Sequence, residues 1–285
     1  MSFTSTSTDE RPIRVIRPTQ SLIAILAAGL ASLLSHKSLF LEMTLLRLKV
    51  RYRQSMLGWI WAVLPALLLM ITYTLVFAKV IGLQSVGLLY ALFIFSGLIP
   101  WIFFSTSVST ATAGIVTHRY LICRVAFPRE IIPLSYVAAA LVDLGVGILM
   151  LGAMMSYFGF SPTLHALYAV PIIGTLVVFS IAGALFCASF QARFRDVGVA
   201  MPLVLQVMMF ATPVVYSSTA IPDSFKAIYF ANPLTVLIET FRAAAMLGVS
   251  PNAGEMIYCG MVSVACLAFS YILFKRLDAT LADVI

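Results

Sequence analysis

Long apolar runs divide this sequence, separated by short polar gaps. A membrane-crossing helix needs about 20 predominantly apolar residues. The runs predict spans over Trp59–Val80, Leu88–Val108, Ile132–Tyr157, Leu167–Phe190, Val199–Tyr216 and Met256–Phe274. The fifth is short and carries Pro202 and Pro213, tolerable in a membrane helix when neighbours satisfy the freed carbonyls. Ser21–Leu34 is apolar but too short to cross, so it predicts an interfacial or re-entrant helix. In Leu39–Arg53, Leu41, Leu45, Leu48 and Tyr52 recur at helical spacing, with Glu42, Lys49 and Arg53 on another face. That pattern predicts a basic amphipathic helix on a membrane surface, or a plain juxtamembrane anchor. The gap Ser217–Glu255 predicts two short helices, around Phe225–Phe230 and Leu234–Leu247, the second started by Asn232-Pro233.

The expected fold is an all-α membrane protein: six transmembrane helices, an amphipathic interface helix before them, and short periplasmic helices before the last span. The divisions fall at 1–38 for an N-terminal extension, 39–56 for the interface helix, 57–275 for the transmembrane domain and 276–285 for a tail. Composition agrees. Of 285 residues 61% are hydrophobic and only 10% charged, against about 25% charged in soluble domains. The first twenty residues are polar and hold Arg11, Arg14 and Arg17, unlike a cleavable signal.

The net charge of +7 would suit nucleic acid, but its distribution follows membrane topology instead. Fifteen of the 18 Lys and Arg lie in the N-terminal segment, the second gap, the fourth gap and the tail. Lys79, Lys226 and Arg242 alone occupy the other gaps. The positive-inside rule then puts both termini in the cytoplasm, in accord with an even number of spans.

Several chemistries find no support. No G-x-x-x-x-G-K-[ST] occurs, so ATP would have to be hydrolysed by a partner. His36, His118 and His165 are scattered, and Cys123, Cys187, Cys259 and Cys266 form no C-x-x-C. An enzyme acting on lipid-linked sugars needs a clustered acid/base or metal constellation, which the dispersed carboxylates do not give. An ion-coupled flippase needs intramembrane ionisable groups and often shows repeats; only Asp143 lies clearly within a span.

Ordered motifs give a resemblance. Arg51-Tyr-Arg-Gln-Ser-Met-Leu-Gly-Trp-Ile-Trp61 leads into span one. Gly97-Leu-Ile-Pro-Trp-Ile-Phe-Phe-Ser105 lies in span two, and Leu121-Ile-Cys-Arg-Val-Ala-Phe-Pro-Arg-Glu130 follows it. Arg193-Phe-Arg-Asp-Val197, Ala231-Asn-Pro-Leu234 and Ile238-Glu-Thr-Phe-Arg242 come later. From about Leu39 onward the chain resembles ABC-2 type permeases that export polysaccharides, nearest their O-antigen branch. The resemblance implies a homodimer in the bacterial inner membrane, with two copies of a separate ATPase that bind ATP and Mg. It implies a substrate linked to undecaprenyl pyrophosphate. An ABC-2 permease for another lipid or a drug is the near alternative.

Val116–Glu130 joins spans two and three. With the resemblance it reads as a coupling helix, offering Arg119, Leu121, Arg124, Phe127, Arg129 and Glu130 to the ATPase; without it, a basic loop explained by topology. Pro128 would end such a helix. Arg193, Arg195 and Asp196 form a second cytoplasmic charge group, in which Asp196 pairs with Arg193 at i,i+3. It would touch the ATPase or a lipid phosphate, or be solvated.

Arg47, Lys49, Arg51 and Arg53 would meet a pyrophosphate head at the interface, with Tyr52 beside them on the substrate path, although any anionic leaflet attracts such a cluster. Trp59, Trp61 and Trp101 suit sugar stacking in a path or an interfacial belt. Asp143 reads as a functional carboxylate or as a helix–helix hydrogen bond. Tyr216, Glu239 and Arg242 fall at an outer exit gate, the last two pairing at i,i+3.

Overall fold

The computed structural model describes residues 29, 31, 34–53, 55–76, 87–125, 127–160 and 163–284, and the regular structure among them is entirely helical. In chain order come α1 (Lys37–Tyr52), a 3-10 turn (Gly58–Ala62), α2 (Leu64–Leu75), α3 (Gly87–Thr117), α4 (Arg119–Arg124) and α5 (Ile131–Tyr157). After the 3-10 turn Leu164–Tyr168 follow α6 (Ala169–Arg193) and α7 (Asp196–Ala211). The chain ends with a 3-10 turn (Ser218–Ala220), α8 (Asp223–Ala231), α9 (Pro233–Arg242), a π-helical turn (Ala243–Leu247) and α10 (Ala253–Val284).

Four helices are long and apolar enough to cross a membrane, over Tyr90–Thr117, Ile131–Tyr157, Leu164–Arg193 and Ala253–Leu277. Leu64–Leu75 and Asp196–Ala211 are apolar but shorter. The first expected span runs into residues 77–80, and the expected helix over Ser21–Leu34 falls almost wholly among the N-terminal residues; both lie outside the described residues. In hydrocarbon every backbone group must bond internally, which a continuous helix achieves.

Helix α3 is the axis of the bundle. In its most apolar window 78% is buried, against 28–33% in the other three long helices. It packs against α2, α5, α6, α7 and α9, and Phe95, Leu98, Ile94 and Ile115 along it are fully enclosed. It also runs nine residues past the expected Val108. Hydroxyls carry it on: Thr110 bonds Thr106 O at 2.6 Å, Thr112 bonds Val108 O at 2.6 Å and Thr117 bonds Ala113 O at 2.9 Å. Back-bonded threonines hide their polarity inside the helix, so hydropathy alone ends the span too early.

Helix α7 differs at both ends from the expected Val199–Tyr216. It starts at Asp196 and stops at Ala211. Pro213 explains the stop: a residue before proline is pushed to extended backbone, and Thr212 has φ −113° and ψ 135°. Residues 212–217 then fold back, with Thr212, Val214 and Val215 buried. Asn232 caps α9 by accepting from Leu234 N at 3.1 Å, with Pro233 in its first turn. Gly248, at φ 63°, closes the π turn in the left-handed conformation.

Helix α1 packs on α5. Met43, Thr44 and Tyr52 are buried, while Leu41 and Leu45 are exposed. The packed face carries Arg47, whose polar partners on α5 offset its desolvation.

Candidate functional site

Three clusters occupy distinct levels of the bundle. The first joins α1 to α5. Arg47 Nε donates to Ser135 Oγ at 2.8 Å, and the guanidinium lies 3.3 Å from the Tyr136 ring centroid. One turn on, Arg51 and Tyr52 both donate to the Asp143 carboxylate, one to each oxygen. Burial and the hydrogen bond to Asp143 push the Tyr52 phenol up to about 12, so it remains a donor at neutral pH. Trp59 stacks on Tyr52 with centroids 4.6 Å apart. Arg53 is exposed.

Beside this cluster lies a largely apolar cavity of about 650 Å³. Arg51, Ser55 and Asp143 form its polar end; Trp61, Pro65, Ile99 and Phe103 are among its apolar walls. The structure thus brings Arg51, Tyr52, Trp59, Trp61 and Asp143 together. It does not bring Trp101, which is 3% exposed and sits in the core beside Phe104.

The second cluster is the loop after α3. Arg119, Tyr120 and Arg124 on α4 are exposed, and the Arg124 guanidinium lies 4.0 Å from the Tyr120 ring centroid. Val125 is extended and ends the helix. Leu121 and Phe127 point the other way, against a buried knot of Met43, Ile115, Ile131, Ile132, Leu185 and Phe274. An element this small acquires a rigid seat from that packing. Glu130 is not an outward charge: it is fully buried, with Lys275 Nζ donating to both carboxylate oxygens at 2.7 and 2.8 Å. Arg193, Arg195 and Asp196 are exposed at the neighbouring α6–α7 turn. The expected Arg193–Asp196 ion pair is not formed among the described residues; the Arg193 guanidinium instead lies 6.0 Å from the Phe194 ring centroid. Asp196 opens α7, where a negative charge suits the helix dipole.

The third cluster lies toward the other end of α3. Arg242 is 3% exposed. Its Nη1 donates to Glu239 at 3.1 Å, and its Nη2 to the carbonyls of Val214 at 2.8 Å and Pro213 at 3.3 Å. Its guanidinium also lies 3.8 Å from the Phe93 ring centroid. Burial pulls Arg242 down to about 10, so the cation persists at neutral pH. Glu239 accepts from Ser218 N at 3.2 Å, and Tyr216 donates to Phe210 O at 2.8 Å. These bonds fasten the turn after α7 to α9 and α3.

Sequence reasoning had no role for Lys275, Tyr271, Ser135, Tyr136, Phe93 or Gly97. The charges at the start of one span, Arg129-Glu130, and at the end of another, Lys275-Arg276, are the signal from which the Glu130–Lys275 pair could be sought. Nothing local pointed to Ser135 or Phe93. Among the described residues no group of three or more His, Cys, Asp or Glu is placed to hold a metal.

A family model described as ABC-2 type transporter matches residues 38–246. The chain is similar to an O-antigen export system permease protein of Klebsiella pneumoniae, 32% identical over 203 residues, covering 71% of this chain and 78% of that protein. A protein of the same description from Myxococcus xanthus is 30% identical over 237 residues, covering 82% and 90%. The polysialic acid transport protein of Escherichia coli is 20% identical over 229 residues, covering 80% and 89%.

Proposed function

This chain belongs to the ABC-2 type transporter family, and we propose that it is the membrane subunit of an ATP-driven exporter of O-antigen-type polysaccharide. The observation that carries the reading is the 30–32% identity, across most of the chain, to proteins described as O-antigen export permeases. Two copies form the path in the bacterial inner membrane, with two ATPase subunits beneath that bind ATP and Mg. The substrate is a glycan on undecaprenyl pyrophosphate. Six crossings, with α2 and α7 in the two short ones, leave both termini in the cytoplasm; the Lys and Arg distribution supports this orientation.

Each cluster then has a task. The pyrophosphate head approaches α1, where Arg47, Arg51, Tyr52 and Arg53 meet the interface; arginine forks match phosphate oxygens. The cavity beside Asp143, Trp59 and Trp61 takes apolar chain. Arg119, Arg124 and Arg129, with Arg193, Arg195 and Asp196, face the ATPase, while Leu121 and Phe127 seat α4 so that a push becomes rigid-body motion. Glu239, Arg242 and Tyr216 hold the outer turn closed at the exit. Trp101 supports the core around the path.

Depleting the protein in its host tests this reading. Lipid-linked glycan accumulating on the cytoplasmic face, with surface polymer lost, is the expected result. Normal surface polymer would move the assignment to another lipid or a drug. Loss of polymer without lipid-linked build-up would point to synthesis.

A further inference from the structure

Glu130 stands just ahead of α5 and is completely enclosed. Both its oxygens accept from Lys275, and Tyr271 donates to one of them at 3.4 Å. Lys275 and Tyr271 both belong to α10, whose main packing is against α6 and α9. The ion pair therefore joins the loop below α4 to a helix from a different part of the bundle. Around it, Ile122 from α4, Ile131 and Ile132 from α5, Leu185 from α6, and Phe274 from α10 form one apolar knot. Water is kept from the carboxylate, so removing Lys275 would strand the Glu130 charge in apolar surroundings.

We infer that the Glu130–Lys275 pair is a brace that makes the last membrane helix move with the α4 loop, with Lys275 and Tyr271 as positioning residues for transport. The inference rests on the reading of α4 as the surface pushed by an ATPase. A push on the exposed face of α4 reaches Glu130 through Phe127 and Pro128. It passes to α10 through a contact with too little room to slip. Surface ion pairs yield to water and rearrange; here the carboxylate is fully enclosed and doubly bonded, while the Lys275 side chain is 30% exposed. The exposed arginines of α4 receive force on this account, and the buried glutamate redirects it.

The test uses the intact transporter, two permease chains with their ATPase, in lipid vesicles, reading glycan moved per ATP hydrolysed. Glu130→Gln and Lys275→Met should each lower that ratio about tenfold, within the range by which coupling-network residues act, while ATP hydrolysis continues. The charge swap Glu130→Lys with Lys275→Glu should recover much of the ratio. Unchanged ratios in both single variants, or a swap no better than either, would overturn the brace. A wild-type complex that moves no glycan would reject the proposed function instead.

A second measurement leaves the pair intact. Spin labels replace exposed Tyr120 and Arg276, with the four cysteines changed to alanine. Their separation should stay fixed when the complex is trapped with ATP; a changed separation would overturn the inference.

Discussion

Gly97 faces the guanidinium of Arg242 so closely that a Cβ at position 97 would lie 2.3 Å from Nη2 and 2.6 Å from the Val214 carbonyl oxygen. The only side chain that leaves room for the buried arginine is hydrogen. The carbonyl belongs to the same turn that Arg242 fastens, so neither neighbour can retreat without loosening the other. Gly97→Ala should destabilise the protein by about 1–3 kcal/mol, the usual cost of overpacking. A lowered thermal unfolding midpoint in detergent is the expected reading, and an unchanged midpoint would contradict the close fit.

Arg51, Tyr52 and Asp143 share one carboxylate and should behave as a unit. Contacting residues show interaction energies of about 0.5–3 kcal/mol. The Arg51 side chain is 36% exposed and that of Asp143 15%, so solvent screening favours the lower end. In a double-mutant cycle on unfolding, Arg51→Ala with Asp143→Asn should cost less than the sum of the single changes. Additive costs would show that the carboxylate does not hold α1.

Arg47 makes a sharper demand. Its Nε bonds Ser135 while its plane covers Tyr136, and lysine can do both at once only poorly. Arg47→Lys should therefore loosen α1 nearly as much as Arg47→Ala. Hydrogen exchange of the α1 amides reads this directly; wild-type protection in the lysine variant would contradict it.

Much of this architecture was legible beforehand. The third span is expected over Ile132–Tyr157 and runs Ile131–Tyr157, because its apolar run is interrupted by a single charge, Asp143, and Pro128 marks its approach. The pairing of Glu239 with Arg242 follows from their i,i+3 spacing. What the pattern hid was long-range. Arg242 reads as an outer-helix cation paired with Glu239, and its enclosure by Gly97, Phe93 and two carbonyls from a distant turn is not visible in that spacing. Glu130 reads as a surface charge until Lys275, 145 residues later, closes over it. In α1 the regularly spaced Leu41 and Leu45 are exposed, and the contact with α5 runs through Arg47, whose partners Ser135 and Tyr136 no local spacing reveals. Local periodicity carries helix positions; a buried ion pair needs both halves of the chain.

The exposed arginine and the seated phenylalanine of the α4 loop carry the coupling assignment. The double change Arg124→Ala with Phe127→Ala would remove one proposed contact to the ATPase and one anchor in the knot. Export should fall about tenfold or more while the ATPase keeps hydrolysing ATP. Unchanged export would withdraw the assignment from this loop.

The central claim, that this chain passes a lipid-linked glycan across the membrane at the expense of ATP, is tested most directly with the purified permease and its ATPase in sealed vesicles. Lipid-linked polysaccharide is loaded on the ATPase-facing leaflet, and its arrival on the other side is read by an impermeant lectin. ATP-dependent arrival that stops when Arg124 and Phe127 are replaced is the predicted result. Arrival at the same rate without ATP, or none while another lipid stimulates the ATPase, would contradict the account.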